Sequence, residues 1–348
     1  MHRTLSLLAM TLITLLSACG SPAAPSTPTN STAAVGSAAD TAATASGLQP
    51  VSISMGYIPD VQFAMFYVAQ AKGYYRDEGL DVTINHGFVT DAIVQVAQGR
   101  LTFANAAGDE ILLARANKIP VKLVFQTYQQ YPVAIFAKQS TGIKQPADLK
   151  GKTIGVPVRA GATYVGLKGV LYAAKLSEQD VNIAEINFTQ AEAVRTDKVA
   201  AAVGYFNNEP LGLQQQGVPV DVLRVSDYIA LVSNGIVTSE AFAQSDPETV
   251  RKFTRATARG LQDTLDDPEA AFELALQFIP ELPAERHPQE LAKLKQTTAL
   301  WESAATKANG LGYSDPAMWQ TTHQFLRESG LLQTDVDVQQ AFTNDLRK

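Results

Sequence analysis

The sequence predicts an α/β fold built from two similar halves, and three observations lead to this prediction. Short apolar strands alternate with helices from residue 50 to residue 137. The alternation restarts after Lys138 and continues to residue 237. From residue 245 onward the chain reads as nearly all helical, and an Asp-Pro-Glu triplet begins a helix at Asp246 and again at Asp267. Strand–helix alternation at this spacing is typical of a mostly parallel sheet.

In the first half, the pattern predicts strands and helices in turn. Residues 51–57 (VSISMGY) alternate apolar and polar side chains, which indicates a strand. The helix predicted at 64–73 carries Phe66, Val68 and Ala69 near one face. The other strands predicted here are 80–84, 103–106, 121–125 and 133–137, and the other helices are 92–98 and 110–116.

The second half repeats this order after a loop that contains ADLKGK. Its predicted strands are 153–156, 182–187, 200–204, 220–224 and 230–237, and its predicted helices are 162–175 and 192–198. We find no short internal repeat, so the two halves are related as whole α/β units rather than as an array.

Composition excludes several classes of function. The chain has 348 residues, 46% of them apolar, which is enough for sizeable cores in about two domains. Its 28 basic and 34 acidic residues give a formal charge of −6, so no nucleic-acid partner is expected. One cysteine excludes an intrachain disulfide and a cysteine-based zinc cluster, and four histidines supply a metal site poorly. No metal is expected.

The N-terminus reads as a targeting segment. Arg3 precedes an apolar run at 5–16, which is shorter than the roughly 20 residues a membrane-spanning helix needs. Leu-Ser-Ala-Cys-Gly at 16–20 resembles a bacterial lipobox, which predicts a signal peptide at 1–18 and lipid attachment at Cys19. Residues 19–48 are then the lipidated cysteine and a disordered tether, because this segment has almost no large apolar side chain. We expect a protein anchored to the extracytoplasmic face of the cell membrane.

Several motifs carry a resemblance to a known family. They are Gly56-Tyr57-Ile58-Pro59-Asp60, the GYY…EGLDV string at 73–82, Gly108-Asp109-Glu110 and the ADLKGKTIGV string at 147–156. With them the chain resembles the solute-binding proteins of ABC importers, in the branch that binds thiamin pyrimidines and sulfonates. The segment Gly204-Tyr205-Phe206-Asn207-Asn208-Glu209-Pro210 is most similar to the riboflavin-uptake lipoproteins of that branch.

The resemblance implies a type II periplasmic-binding-protein fold, with two lobes and a cleft between them. Residues 49–138 and 228–348 would form the first lobe with the C-terminal helices, and 139–227 would form the second. The family implies capture of a small heteroaromatic solute by a monomer and its delivery to an ABC permease in the membrane. Riboflavin would be the transported ligand, with no cofactor. Ligands of open α/β sheets bind at the carboxyl ends of the strands.

Candidate binding residues of the first lobe follow predicted strands. Tyr57 could stack on a planar ring or simply pack on the lobe surface. Asp60 and Gln62 could bond ring nitrogens, although Asp60 could equally cap the next helix. Asp109 has the same two alternatives, a ligand contact or a cap at the start of its helix. Tyr128 is our candidate for a second aromatic wall.

Two segments of the second lobe are also candidates. Arg159 could reach an anion, whereas Thr163 and Tyr164 could bond hydroxyl groups. The second segment is Asn207, Asn208 and Glu209. Their side chains could hydrogen-bond the donor and acceptor groups on the edge of a heterocycle, or the segment could form a solvated turn before Pro210. Alternative ligands are a thiamin pyrimidine precursor and an alkanesulfonate. The alternative classes of protein are a pyrimidine synthase and a ligand sensor or adhesin. The synthases of this fold use a cysteine-rich segment, which this chain lacks.

Overall fold

A computed structural model describes residues 47–87 and 91–347 of the chain. The predicted signal peptide, Cys19 and all but the last two residues of the predicted tether lie outside the described residues. None of the described helices is both long and apolar enough to cross a membrane.

In the described part of the chain, ten strands form two sheets of five. The strands are β1 Gln49–Ser54, β2 Leu80–Asn85, β3 Phe103–Ala106, β4 Val121–Gln126, β5 Val133–Lys138, β6 Thr153–Val156, β7 Asn182–Glu185, β8 Ala201–Tyr205, β9 Val220–Arg224 and β10 Gly235–Ser239. The α-helices are α1 Ala64–Ala71, α2 Tyr74–Asp77, α3 Ala92–Ala97, α4 Gly108–Ala116, α5 Gly161–Ala173, α6 Gln190–Arg195, α7 Glu209–Gln215, α8 Glu240–Ser245, α9 Pro247–Asp266, α10 Pro268–Ala275, α11 His287–Thr298, α12 Ala304–Asn309 and α13 Pro316–Glu328.

The two sheets share one topology. The first has the strand order β2-β1-β3-β10-β4 and the second has the order β7-β6-β8-β5-β9. β1 pairs parallel with β2 and β3, and β6 pairs parallel with β7 and β8. β10 and β5 each run antiparallel to both of their neighbours. Four strands of each sheet therefore share a direction, and the predicted α/β class with mostly parallel sheets is confirmed.

The chain crosses between the sheets twice, at 127–132 and at 225–234. The crossovers are hydrogen-bonded to each other, because the backbone N–H groups of Thr127 and Tyr128 both donate to the Asn234 carbonyl, at 3.1 and 3.0 Å. The predicted lobe boundary at residue 138 assigned β5 to the first half. β5 instead bonds β8 and β9 of the second sheet, so the first crossing precedes Val133.

The C-terminal helices pack on the first sheet. Asp246 and Asp267 cap α9 and α10 as predicted, accepting from the backbone N–H groups of Thr249 and Ala270. α9 crosses α1 so closely that a Cβ at Gly260 would lie 2.1 Å from the carbonyl oxygen of Met65, so only glycine fits there. Trp301 and Trp319 are fully buried, as expected for core residues of the tail.

Candidate functional site

A cavity of about 440 Å³ lies where the carboxyl ends of strands from both sheets meet. The segments that line it follow β1, β3, β6, β7 and β8, and the start of α3, Asn234 and Lys293 complete it. Seven of the predicted site residues line this cavity, namely Tyr57, Asp60, Gln62, Thr163, Asn207, Asn208 and Glu209. Asp109, Tyr128, Arg159 and Tyr164 do not.

The residues that follow β1 line the cavity on the side of the first sheet. The sequence predicts a strand through Tyr57, but β1 ends at Ser54. Gly56 has a φ of 70°, which a strand does not allow and which turns the chain away from the sheet. This turn places Met55, Gly56 and Tyr57 in the cavity lining.

Asn207 carries a buried acceptor without a partner. Its Nδ2 atom lies 2.6 Å from Thr297 Oγ1, whose own hydrogen is donated to the Lys293 carbonyl at 2.7 Å. Because that hydroxyl can then only accept, the amide nitrogen must face Thr297 and the oxygen must face away. Asn207 is 4% exposed, and its Oδ1 bonds no described residue. A buried acceptor of this kind costs free energy until a donor reaches it.

Glu209 begins α7, and its carboxylate folds back on β8. Oε2 accepts the Tyr205 backbone N–H at 2.8 Å, and Oε1 accepts from Asn208 Nδ2 at 3.2 Å. A Cβ at residue 204 would lie 2.4 Å from Oε2, so Gly204 leaves the space that this carboxylate occupies. Burial raises the pKa of Glu209 above its usual value. Asn207 and Glu209 both line the cavity.

Asp60 is fixed by two partners. Its Oδ1 accepts the Gln62 backbone N–H at 3.0 Å and caps a short 3₁₀ turn at Val61–Phe63. Its Oδ2 accepts from Lys293 Nζ at 2.7 Å, and Lys293 also lies 2.5 Å from Glu290 Oε2. Burial lowers the pKa of Lys293, but the two carboxylates more than offset this and hold the pKa above its usual value. The cap that the sequence left as an alternative is present, and Gln62 lines the cavity beside it.

Asp109, predicted as a ligand contact or a helix cap, does not line the cavity, whereas its neighbour Glu110 does. Asp109 is 2% exposed and lies 3.5 Å from the Tyr131 hydroxyl, away from the cavity. Burial and then the charge of Glu110 raise the pKa of Asp109. Glu110 lines the cavity instead, and its Oε2 accepts the Ala107 backbone N–H at 2.8 Å. The helical geometry of α4 turns consecutive side chains to different faces, so only one of the two acids can point to the cavity.

Aromatic and apolar side chains flank the cavity on both sides. Tyr57 and the buried Phe63 belong to the first sheet's side, and Phe188 and the half-buried Tyr205 belong to the second. Phe188 is 74% exposed, and Val158, which also lines the cavity, is 41% exposed. Exposed large apolar side chains at the edge of a cavity indicate a surface that a ligand covers.

Tyr128, the predicted second aromatic wall, lies in the core. It is 5% exposed and meets Trp301 edge-on, with ring centroids 6.1 Å apart. It belongs to the first crossover between the sheets, where both faces of the chain are covered. Among the described residues, Phe188 and Tyr205 line the cavity with aromatic rings from the second sheet's side.

The loop before α5 lines the cavity with small uncharged residues and backbone groups rather than with a charged side chain. Ala160, Gly161, Ala162 and Thr163 are lining residues, and Ala160 offers no side-chain cap to the N–H groups of the first turn. Those N–H groups are available to oxygen atoms of a ligand.

Arg159 and Tyr164, predicted as contacts in this loop, are held elsewhere. The Arg159 guanidinium donates to the Ile183 carbonyl at 2.9 Å and lies 3.4 Å from Glu178 and 3.5 Å from Glu185. The Tyr164 hydroxyl donates to Glu178 at 2.5 Å. Glu178 therefore draws both side chains out of the cavity lining.

Sequence reasoning missed several lining residues. Phe188 and Gln190 follow β7 and could have been found by the strand-end rule that led to Asn207. Lys293 gave no such signal, because it comes from the C-terminal helices and reaches Asp60 across 233 residues of sequence. Within 47–87 and 91–347, no cluster of three or more His, Cys, Asp or Glu side chains is arranged to hold a metal ion.

Comparison with known proteins gives a family and a fold. Residues 60–271 match the family described as NMT1/THI5 like. The chain is 46% identical over 301 residues to the riboflavin-binding protein RibY of Chloroflexus aurantiacus, covering 86% of each protein. It is 25% identical over 308 residues to a formylaminopyrimidine-binding protein of Halalkalibacterium halodurans, covering 85% of this chain and 90% of that protein.

A solved structure shares the fold. It is the alkanesulfonate-binding protein SsuA from Xanthomonas axonopodis pv. citri bound to MOPS, with a TM-score of 0.64 and 17% identity. The match covers 85% of this chain and 98% of that chain. The two-sheet fold of a periplasmic binding protein, which the motifs implied, is thereby confirmed.

Proposed function

The chain belongs to the NMT1/THI5-like family, and from this premise we propose that it is a solute-binding protein that captures riboflavin in the cavity between its two sheets. The unpartnered Asn207 Oδ1 carries the proposal. Riboflavin has an imide N–H at the pyrimidine end of its ring system, and this donor would satisfy the buried acceptor. The 46% identity to a riboflavin-binding protein supports the same ligand.

The rest of the cavity suits the other parts of riboflavin. Tyr57 and Phe188 flank it with aromatic surface, which is what a flat tricyclic ring needs for stacking. The N–H groups at the start of α5, which no side chain caps, would donate hydrogen bonds to the hydroxyl oxygens of the ribityl chain. The volume of about 440 Å³ lies within the roughly 300–1,000 Å³ that small-molecule sites occupy.

A thiamin-type pyrimidine is the second candidate. The relative with 25% identity is a formylaminopyrimidine-binding protein, and an amino group on a pyrimidine could donate to Asn207 or Glu209. An alkanesulfonate is less well served, because Arg159 is engaged by Glu178 and Glu185 outside the lining. A sulfonate group also has no hydrogen to donate to Asn207.

A ligand comparison tests the proposal. The purified protein is stripped of ligand and its melting temperature is measured with riboflavin, with a thiamin pyrimidine precursor and with an alkanesulfonate. We expect riboflavin alone to raise the melting temperature strongly, since binding only to the folded state stabilises it by mass action. A rise with the pyrimidine or the sulfonate and none with riboflavin would contradict the proposal.

Phe188 should contribute more to affinity than to stability. We expect Phe188→Ala to weaken riboflavin binding about tenfold, because stacking of a flat heterocycle on an aromatic side chain is worth about 1–3 kcal/mol. Because the Phe188 side chain is 74% exposed, its removal takes little buried apolar surface from the folded protein. The melting temperature should therefore stay within about 2 °C of the wild-type value. Quenching of riboflavin fluorescence measures the affinity.

The matched control for Phe188 is another exposed aromatic residue. Tyr228 is 37% exposed and does not line the cavity. Tyr228→Ala should leave the riboflavin affinity unchanged. Equal affinity of wild type and Phe188→Ala would remove this ring from the proposed site.

The proposal extends to anchoring and delivery. The lipobox at 16–20 supports lipid attachment at Cys19, and the family resemblance supports delivery to an ABC permease from the extracytoplasmic face of the cell membrane. We expect Cys19→Ala to move the protein from the membrane fraction to the soluble fraction, with its riboflavin affinity unchanged. A variant that stays in the membrane fraction would contradict the lipid anchor.

A further inference from the structure

Acidic side chains outnumber basic ones in the lining of the cavity. Among the lining residues that the structure describes, four are acidic, Asp60, Asp91, Glu110 and Glu209, and one is basic, Lys293. The ammonium group of Lys293 is shared by Asp60 at 2.7 Å and by Glu290 at 2.5 Å, so its charge is already balanced within the protein. The lining as a whole is therefore negative.

Two of the lining carboxylates, those of Glu110 and Glu209, already accept backbone N–H groups that an anionic ligand could otherwise use. Glu110 accepts the Ala107 backbone N–H at the start of α4, and Glu209 accepts the Tyr205 backbone N–H at the end of β8, both at 2.8 Å. Helix N-termini attract anions, and that of α4 already has a carboxylate from the protein. The start of α5 has no side-chain cap, and the guanidinium nearest to it in sequence, Arg159, is held by Glu178 and Glu185.

Uncharged hydrogen-bonding groups make up the other polar surface. Gln62, Asn105, Gln190 and Asn234 line the cavity with side-chain amides, and Asn207 adds the buried oxygen that no described residue satisfies. Amides can pair with hydroxyl and imide groups of a neutral molecule without supplying charge to balance an anion.

We infer that the cavity selects a flavin that carries no 5′-phosphate and excludes phosphorylated flavins by charge; this inference rests on the proposed function. A phosphate group about 10 Å from one of the lining carboxylates would be repelled by it. At an effective dielectric constant of about 20, repulsion at that distance weakens binding on the order of tenfold for each pair of unit charges. A helix N-terminus offsets only part of this repulsion. A phosphatase step must therefore precede capture wherever the flavin source is phosphorylated.

The test compares the dissociation constants of riboflavin and riboflavin 5′-phosphate at low ionic strength. We expect the phosphate ester to bind at least about tenfold more weakly, and the difference to shrink in about 0.5 M NaCl because salt screens the repulsion. Riboflavin 5′-acetate, a neutral ester at the same position, should bind much more tightly than the phosphate. If the acetate binds as weakly as the phosphate, size rather than charge excludes both and the inference is wrong.

A matched pair of variants isolates the charge. Glu209→Gln removes one carboxylate from the lining and should reduce the ratio of the two dissociation constants about threefold or more. Glu328→Gln removes the same charge from an exposed position on α13 and should leave the ratio unchanged. If riboflavin and its 5′-phosphate bind equally well, only the charge selection is wrong. If neither flavin binds, the proposed function itself is wrong.

Discussion

Asn207→Ala is expected to weaken riboflavin binding about 30-fold. The substitution removes the buried oxygen that would accept the imide hydrogen of the ring, so the bound ligand would carry an unsatisfied donor. Leaving one member of a buried hydrogen bond without its partner costs about 1–3 kcal/mol. The affinity is measured by quenching of riboflavin fluorescence, and circular dichroism at the same temperature shows that the variant is folded.

Asn208 provides the control for this variant. It is the next residue in the chain and also an asparagine, but its side chain is exposed and bonds only Glu209 among the described residues. Asn208→Ala should change the affinity by no more than about threefold. If the two alanine variants bind riboflavin equally well, Asn207 Oδ1 does not accept a hydrogen bond from the ligand.

Lys293→Met is expected to lower the free energy of unfolding by about 3 kcal/mol. Lys293, Asp60 and Glu290 have side chains that are 10%, 14% and 8% exposed, so the substitution leaves two buried carboxylates without their ammonium partner. Breaking a buried ion pair from one side typically costs about 3–5 kcal/mol. Arg286 still contacts Glu290 at 2.5 Å, which places the expected value at the low end. Urea denaturation measures the change.

Lys295 lies on the same helix and supplies the matched control. Its ion pair with Glu269 is exposed on both sides, at 47% and 58%, so Lys295→Met should cost less than about 1 kcal/mol. Adding Asp60→Asn to Lys293→Met should restore part of the lost stability, because it removes one of the uncompensated charges. Equal losses for Lys293→Met and Lys295→Met would show that the buried cluster does not hold α11 to the 3₁₀ turn at Asp60.

The fold could be predicted because its signals are local. Alternating strands and helices, the Asp-Pro helix starts and the family motifs each lie within a few residues of the element they specify. The error at β5 shows the limit of such signals. Its apolar sequence fits either sheet, and only its pairing with β8 and β9, whose partner residues come 66 to 90 positions later, decides between the two.

The site could be predicted in part for the same reason. The rule that ligands bind beyond the carboxyl ends of strands led to Tyr57, Asn207 and Glu209, and these residues line the cavity. The rule does not say where a side chain points once it is there. Arg159 lies in the right loop, but Glu178 holds its guanidinium elsewhere, and that contact joins residues on separate elements. Lys293 reaches the cavity lining from the C-terminal helices, and that position depends on tertiary packing, which no local sequence pattern predicts.

A crystal structure of the protein with riboflavin gives the sharpest test of the proposed binding mode. We expect the ring system in the cavity between Tyr57 and Phe188, with its imide nitrogen within about 3.2 Å of Asn207 Oδ1. We expect the ribityl chain to lie against the backbone N–H groups at the start of α5. Riboflavin bound with its ribityl chain at Asn207, or bound outside this cavity, would show that the proposed binding mode is wrong.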